Sequence, residues 1–364
     1  DHPEIHQAMD LCLSCKGCKS ECPSNVDMTK LKAEFLQHYY DDHGIPFRSN
    51  LVGNISSITR IFSVVPWLYN SFMRFKPTGN LMKSILGFST ERSLPSIHPY
   101  SLQSWYRKNY RNIRPAGPVK TIFLFCDEFT NYHDVSAGLA VIRLLAGLKY
   151  DVVIPEHAES GRAYLSKGML KKVRGIAERN VRLLSGRISE QSPMIGIEPS
   201  AILTFRDEYP SLVEGGLKKS AEKLSENVFT FEEFITKEFE AGNIRKESFT
   251  DRKQKIKMHV HCHQKALSSI DFTAKALSIP ANYTVQNIPS GCCGMAGSFG
   301  FEKEHHDISM KIGNLVLFPA VRNSEPDTLI AAAGTSCRHQ ILDGTSRAAQ
   351  HPAEILWNAF IKPG

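Results

Sequence analysis

The sequence predicts an α/β protein: a helical N-terminal segment followed by two repeated α/β units with parallel sheets. Two observations lead there. After Pro118, short apolar runs alternate with helical stretches, the pattern of strands joined by crossover helices. The same order then restarts near Lys255, at an offset of about 135 residues. Right-handed crossovers would make each sheet parallel.

The N-terminal segment, residues 1–47, reads as helical on both sides of a cysteine run. Asp27 is placed to cap a helix whose apolar residues Met28, Leu31, Phe35 and Tyr39 recur at helical spacing, and His43-Gly44-Ile45-Pro46 ends it. The run itself, Cys12, Cys15, Cys18, Cys22 and then Pro23, has C-x2-C-x2-C-x3-C-P spacing. That is the spacing of a bacterial-type ferredoxin site, in which the last cysteine usually serves a second cluster. Zinc sites separate their cysteine pairs by a long insert and do not require the proline. The expected cofactor is a [4Fe–4S] cluster, with a companion cluster completed by cysteines upstream of this chain.

Residues 48–115 read as a basic amphipathic connector. Ten Lys and Arg residues lie between Arg48 and Arg114 against one acid, Glu91. Ile61 to Phe75 has the make-up of one amphipathic helix. Two readings stand: packing on its own protein, or docking on a partner or a membrane surface.

The first repeat, residues 116–250, is expected to contain strands at Val119–Phe125, Asp151–Pro155 and Met194–Glu198, with helices at Ala137–Leu148 and Gly161–Leu184. The second, residues 251–364, is expected to contain strands at Lys257–His261, Tyr283–Ile288 and Thr328–Ala333, with helices at Gln264–Leu277 and Glu302–Phe318. Cys262, Cys292-Cys293 and Cys337 follow its three strands. Open parallel sheets gather such loops at one edge, so the four thiols can share a pocket. Gly291, Gly294, Gly297 and Gly300 permit close backbone approach. The matching places in the first repeat are expected at Cys126, at Glu159-Ser160-Gly161 and at Ser200-Ala201, leaving Cys126 as a buried apolar filler. His261, His263 and His339 flank the second site, as ligands, proton carriers or supports of the loop. His305-His306 is expected to be solvated. No dinucleotide-binding glycine fingerprint and no P-loop occur.

Nine cysteines, an odd number clustered in local motifs, point to metal chemistry in a reducing compartment rather than to a disulfide framework. The expected location is cytoplasmic, with peripheral contact on the inner membrane face through residues 48–115. No apolar run is long enough to span a bilayer, no secretory leader opens the chain, and the sequence reads as a piece of a longer polypeptide.

One cysteine, about thirty residues, Cys-Cys-Gly, about forty residues and a last cysteine resembles the CCG domain of heterodisulfide reductase and its relatives. Those include the iron–sulfur subunits of glycolate oxidase and of anaerobic glycerol-3-phosphate dehydrogenase. Leu11–Pro23, His261-Cys262-His263-Gln264 and Gly334-Thr335-Ser336-Cys337-Arg338 together resemble the C-terminal half of long bacterial FAD-linked oxidases of the D-lactate or D-2-hydroxyglutarate dehydrogenase type. The resemblance implies a ferredoxin-type segment, a degenerate CCG unit and an intact one. It also implies Cys12, Cys15, Cys18, Cys22, Cys262, Cys292, Cys293 and Cys337 as metal ligands, FAD in an upstream domain of the same polypeptide, and electron relay from flavin to a quinone or other acceptor. Nothing in the chain implies nucleic-acid binding. Full CCG sites end in C-x-x-C, and Gly334 stands where the first cysteine of that pair would be. Two alternatives remain: a thiol–disulfide reductase like heterodisulfide reductase, and a zinc-stabilised interaction module.

Overall fold

The computed structural model describes residues 3–362. Seven strands form two all-parallel sheets. The first has the order β2-β1-β3-β4, with β1 Lys120–Phe125, β2 Tyr150–Val153, β3 Met194–Gly196 and β4 Val228–Thr230. The second has the order β6-β5-β7, with β5 Gln254–His259, β6 Tyr283–Asn287 and β7 Leu329–Ala332. The repeated α/β architecture read from the sequence is therefore present. Strand β4 was not anticipated: Val-Phe-Thr is too short to show a period, and Thr230 at once caps the next helix through a capping box with Glu233.

The two sheets share their three common strands in the same register. Lys120 pairs with Tyr150 and Phe125 with Gly196; Gln254 pairs with Tyr283 and His259 with Ala332. Helix Val135–Gly147 buries ten of its thirteen residues, so it faces apolar neighbours nearly all round. One apolar core runs from Ile122 and Leu124 of β1, through this helix and the C-terminal helix Pro352–Ala359, to Ile256 and Met258 of β5. The repeats are thus packed on common side chains.

Several expected helices are divided. Gly161–Leu184 is broken at Gly168 (φ +71°), where a Cβ would lie 2.3 Å from Leu36, giving Arg162–Ser166 and Leu170–Leu184. Gln264–Leu277 becomes Cys262–Leu267 and Ile270–Leu277, and Glu302–Phe318 becomes His306–Leu315 and Leu317–Arg322. Ile61–Phe75 is also two pieces, Ile55–Phe62 and Pro66–Arg74, because Pro66 starts a new helix at its first position. Asp27 caps Met28–His43 as expected, accepting from the N–H groups of Thr29 and Lys30.

Candidate metal–sulfur centre

The four cysteines of the second repeat come together at the carboxyl edge of its sheet. Cys262 opens the helix after β5, Cys292 and Cys293 sit in the loop after β6, and Cys337 lies in the first turn of Thr335–Thr345 after β7. Each thiol interacts with the next, Cys262 with Cys292, Cys292 with Cys293, and Cys293 with Cys337. One imidazole nitrogen of His259 and the sulfurs of Cys293 and Cys337 lie within 4.8 Å of one another. The Gly294 N–H points at Cys292 Sγ from 3.4 Å, and Gly294 has φ +95°, which suits glycine.

Cys292 and burial push the Cys262 thiol well above its ordinary value. Burial also raises the Cys15 thiol, with Cys262, Cys12 and Cys18 adding to it. Sulfurs packed this way ionise together only around a cation, which is the property of a metal–thiolate donor set. Helix Gly17–Glu21 packs against helix Cys262–Leu267, so the N-terminal run faces the second cysteine group. Cys22 differs: its thiol is held low by the backbone N–H groups of Val26, Ser24 and Asn25.

The run is fastened by Lys16. This side chain is fully buried, has a left-handed backbone (φ +61°), and places Nζ 3.0 Å from Asp27, 2.6 Å from Asp207 and 3.0 Å from Glu208. The cysteine loop is therefore clamped onto the first repeat. Lys32 Nζ also donates to the Cys12 carbonyl at 2.8 Å.

The histidines act mainly as supports. His261 caps its helix by accepting from the His263 N–H at 3.1 Å, and His263 Nδ1 is 3.6 Å from Cys262 Sγ. His339 Nε2 meets the Ser93 carbonyl at 2.8 Å. The expectation of solvated His305-His306 is overturned: both are buried, and His305 bridges Asp10 at 2.9 Å and Glu302 at 3.1 Å. Their helix opens against the N-terminal helix Pro3–Asp10, a contact between distant segments that local polarity could not announce.

The place of Gly334 is filled by a neighbour. A Cβ there would lie 2.4 Å from His261 Cδ2 and 3.2 Å from Cys337 Sγ. A fifth cysteine would require the histidine to move.

The expected alignment of Cys126 with Cys262 is also corrected. Cys262 lies three residues beyond the end of β5, and three beyond the end of β1 is Glu128. The helix caps agree, since Asp127 and His261 each accept from a first-turn N–H. Cys126 is instead buried beside Asn131, its Sγ 3.5 Å from Oδ1, and remains the apolar filler expected. The other two alignments fit. Glu159 and Cys292 each lie nine residues beyond Tyr150 and Tyr283, and Ala201 and Cys337 each lie five beyond β3 and β7. On the same count, Glu198 occupies the place of Gly334.

Three supporting residues escaped sequence reasoning. Lys265 is within electrostatic reach of all four thiols and donates to the Ser290 and Gly291 carbonyls. It lies one helical turn after Cys262, the only signal it offered. Arg92 is buried and donates from Nε to the Gly300 carbonyl at 2.8 Å and from a terminal nitrogen to Ser309 Oγ at 2.9 Å, bracing the Cys-Cys-Gly loop. Glu198 accepts the Thr335 N–H at 2.7 Å, capping the helix that carries Cys337 from the other repeat.

Comparison with family models gives no match. Curated relatives are found along the whole chain. It is 26% identical over 97% of its length to D-2-hydroxyglutarate dehydrogenase of Escherichia coli (strain K12), covering 34% of that protein. It is 24% identical to D-2-hydroxyglutarate dehydrogenase of Haemophilus influenzae, over 97% of this chain and 35% of the relative. One component of the anaerobic glycerol-3-phosphate dehydrogenase of Escherichia coli (strain K12) is 24% identical over 80% of this chain and 72% of that component. The chain thus spans about a third of the length of the first relatives it matches. These relatives are dehydrogenases, and they bear out the resemblance drawn from the cysteine motifs.

Proposed function

We propose that this chain is the iron–sulfur electron-transfer region of an FAD-dependent 2-hydroxy-acid dehydrogenase, of the D-lactate, D-2-hydroxyglutarate or glycolate class. The observation that carries the reading is the convergence of Cys262, Cys292, Cys293 and Cys337 opposite Cys15 of the ferredoxin-type run. The donor sets suit iron–sulfur clusters: grouped thiols, a backbone N–H aimed at sulfur and nearby cations. A [4Fe–4S] cluster at each cysteine group would take and give single electrons. Cys12, Cys15 and Cys18 would hold one, Cys22 would serve a companion completed by upstream residues, and the second repeat would supply four ligands to another.

The protein's own residues set the conditions for that transfer. Lys265 puts a positive charge beside the four sulfurs of the second site, and Arg92 and Gly294 fix its loop. Lys16 holds the N-terminal run in place. The flavin and the hydroxy-acid site would lie in a region outside these residues, and a quinone or other acceptor would receive the electrons. The heterodisulfide-reductase-like alternative is weaker because the His261 ring fills the space that a fifth cysteine needs.

Metal analysis of anaerobically purified protein tests the reading. Iron and sulfide are expected, with an electron paramagnetic resonance signal on reduction. Cys262→Ser should lower the iron content and remove part of that signal, whereas Cys126→Ser should leave both unchanged. One zinc per chain without iron would overturn the relay in favour of the zinc-stabilised module.

A further inference from the structure

Strand β5 ends on His259, a buried residue whose register partner in β7 is Ala332. The ring is therefore held at the sheet edge where the four thiols gather, with one of its nitrogens in the 4.8 Å group formed with the sulfurs of Cys293 and Cys337. Nδ1 is 2.7 Å from Ser290 Oγ, and that hydroxyl is in turn aimed at the Ile288 carbonyl at 3.5 Å. The hydroxyl hydrogen thus goes to the carbonyl, and Nδ1–H donates to the hydroxyl oxygen. Nε2 then keeps its lone pair. It is buried, and among the described residues no group hydrogen-bonds it. A nitrogen stranded in this way is costly unless something takes the lone pair.

The first repeat shows what this place holds where no thiols surround it. Strand β1 ends on Phe125, fully buried, which pairs with Gly196 of β3 as His259 pairs with Ala332 of β7. His157 stands two residues before Glu159, as Ser290 stands two before Cys292. The Phe125 and His157 rings lie 4.5 Å apart, so the same two places touch in both repeats. An apolar ring satisfies the packing of the strand end. The second repeat puts an imidazole there, beside its sulfurs.

We propose that His259 is a ligand of the metal centre in the second repeat, giving Nε2 beside Cys293 and Cys337 while Ser290 orients the ring. Metal-bound histidines commonly donate their other N–H to a fixed oxygen, as Nδ1 does here. A mixed thiolate and imidazole donor set suits iron or zinc. Because imidazole is neutral where thiolate is anionic, it raises the reduction potential of an iron–sulfur centre. The inference rests on the metal-centre reading of this cysteine group, and its test separates the two.

Pulsed electron paramagnetic resonance of the reduced, anaerobically purified protein is expected to show strong nitrogen hyperfine coupling, altered when histidine carries the heavy nitrogen isotope. His259→Phe, which installs the residue of the first repeat, should remove that coupling, and His263→Gln should leave it. His259→Cys should keep the metal, lose the coupling and lower the reduction potential of the centre. An iron–sulfur signal with only weak nitrogen coupling, or strong coupling that survives His259→Phe, would overturn the ligand and leave the electron-relay reading standing. If the metal is zinc, the relay reading falls and X-ray absorption at the zinc edge decides for His259. A nitrogen about 2.0 Å from the metal, lost in His259→Phe, upholds the ligand, and a shell of sulfur alone overturns it. Protein that binds no metal overturns both.

Discussion

The two repeats have the same strand order and register, yet their strand-end loops carry different chemistry. Where the second repeat places Cys262, Cys292, Cys293 and Cys337, the first places Glu128, Glu159, Ser160 and Ala201. The matching places of the first repeat are joined to one another by hydrogen bonds. Glu128 accepts from the Ser160 N–H at 3.0 Å and from its hydroxyl at 2.6 Å, joining the places of Cys262 and Cys293. Burial and the Glu128 charge raise Asp127 to about 8 and Glu159 to about 7, so these carboxyls resist ionisation as the crowded thiols of the second repeat do. What remains of the first site supports the second, through Glu198 on the Thr335 N–H and Asp134 on Arg338 at 2.6 Å. In place of four thiols, the first repeat offers a brace.

Both repeats also receive a buried cation from the N-terminal third at matching places. Asp207 lies nine residues beyond Glu198 and takes Lys16; Asp343 lies nine beyond Gly334 and takes Arg92 at 3.3 Å. The clamps differ in charge, because Lys16 meets three carboxylates and Arg92 meets one with neutral oxygens around it. Lys16→Met is expected to cost about 3–5 kcal/mol, since it strands buried carboxylates. Arg92→Met should cost less, and urea unfolding of the two variants measures the difference. Equal losses would mean that the extra carboxylates add nothing to the clamp.

A smaller effect separates Gly334 from its counterpart Glu198. Gly334→Ala drives a methyl into the His261 ring and should cost about 1–3 kcal/mol as an overpacked site. Adding His261→Ala should recover much of that loss, which a double-mutant cycle would show as coupling. Glu198→Ala removes a helix cap and costs about 1 kcal/mol; because Glu198 Oε1 lies 3.7 Å from His261 Nε2, it should also couple to His261→Ala, through an electrostatic contact rather than through packing.

A local effect is set by pH and lies on the side of the second repeat. Burial alone would lower the His305 pKa, but Asp10 and Glu302 raise it to about 9 from an ordinary 6.5. A raised imidazole pKa stabilises the folded contact fully below about 6.5, and the contribution fades as pH climbs through about 9. Hydrogen exchange in the helix Pro3–Asp10 should therefore speed up, beyond its intrinsic pH dependence, between those values. His305→Gln should remove the extra acceleration.

Sequence spacing carried the local features well. The C-x2-C-x2-C-x3-C-P run, the Asp27 cap and the strand–helix alternation each act within a few residues, so their patterns survive in one chain read alone. The features that failed depend on distant partners. Glu128 could not be matched to Cys262 until the caps of both helices were in view, and His305 looked solvated because Asp10 is 295 residues away. The connector offered an apolar stripe whose direction periodicity does not give. Its outward orientation is a property of the packing on Ile97 and Thr90.

The burial of Lys16 has a consequence for the order of assembly. Asp207 lies 191 residues downstream of it, so the cysteine run cannot seat until most of the first repeat has left the ribosome and folded. On the proposed iron–sulfur reading, Cys12, Cys15 and Cys18 would until then be open to whatever delivers iron and sulfide. Once Lys16 is buried, moving the run off the first repeat requires the clamp to open. The same lysine that fixes the geometry of the run thus sets when, during folding, that geometry is reached.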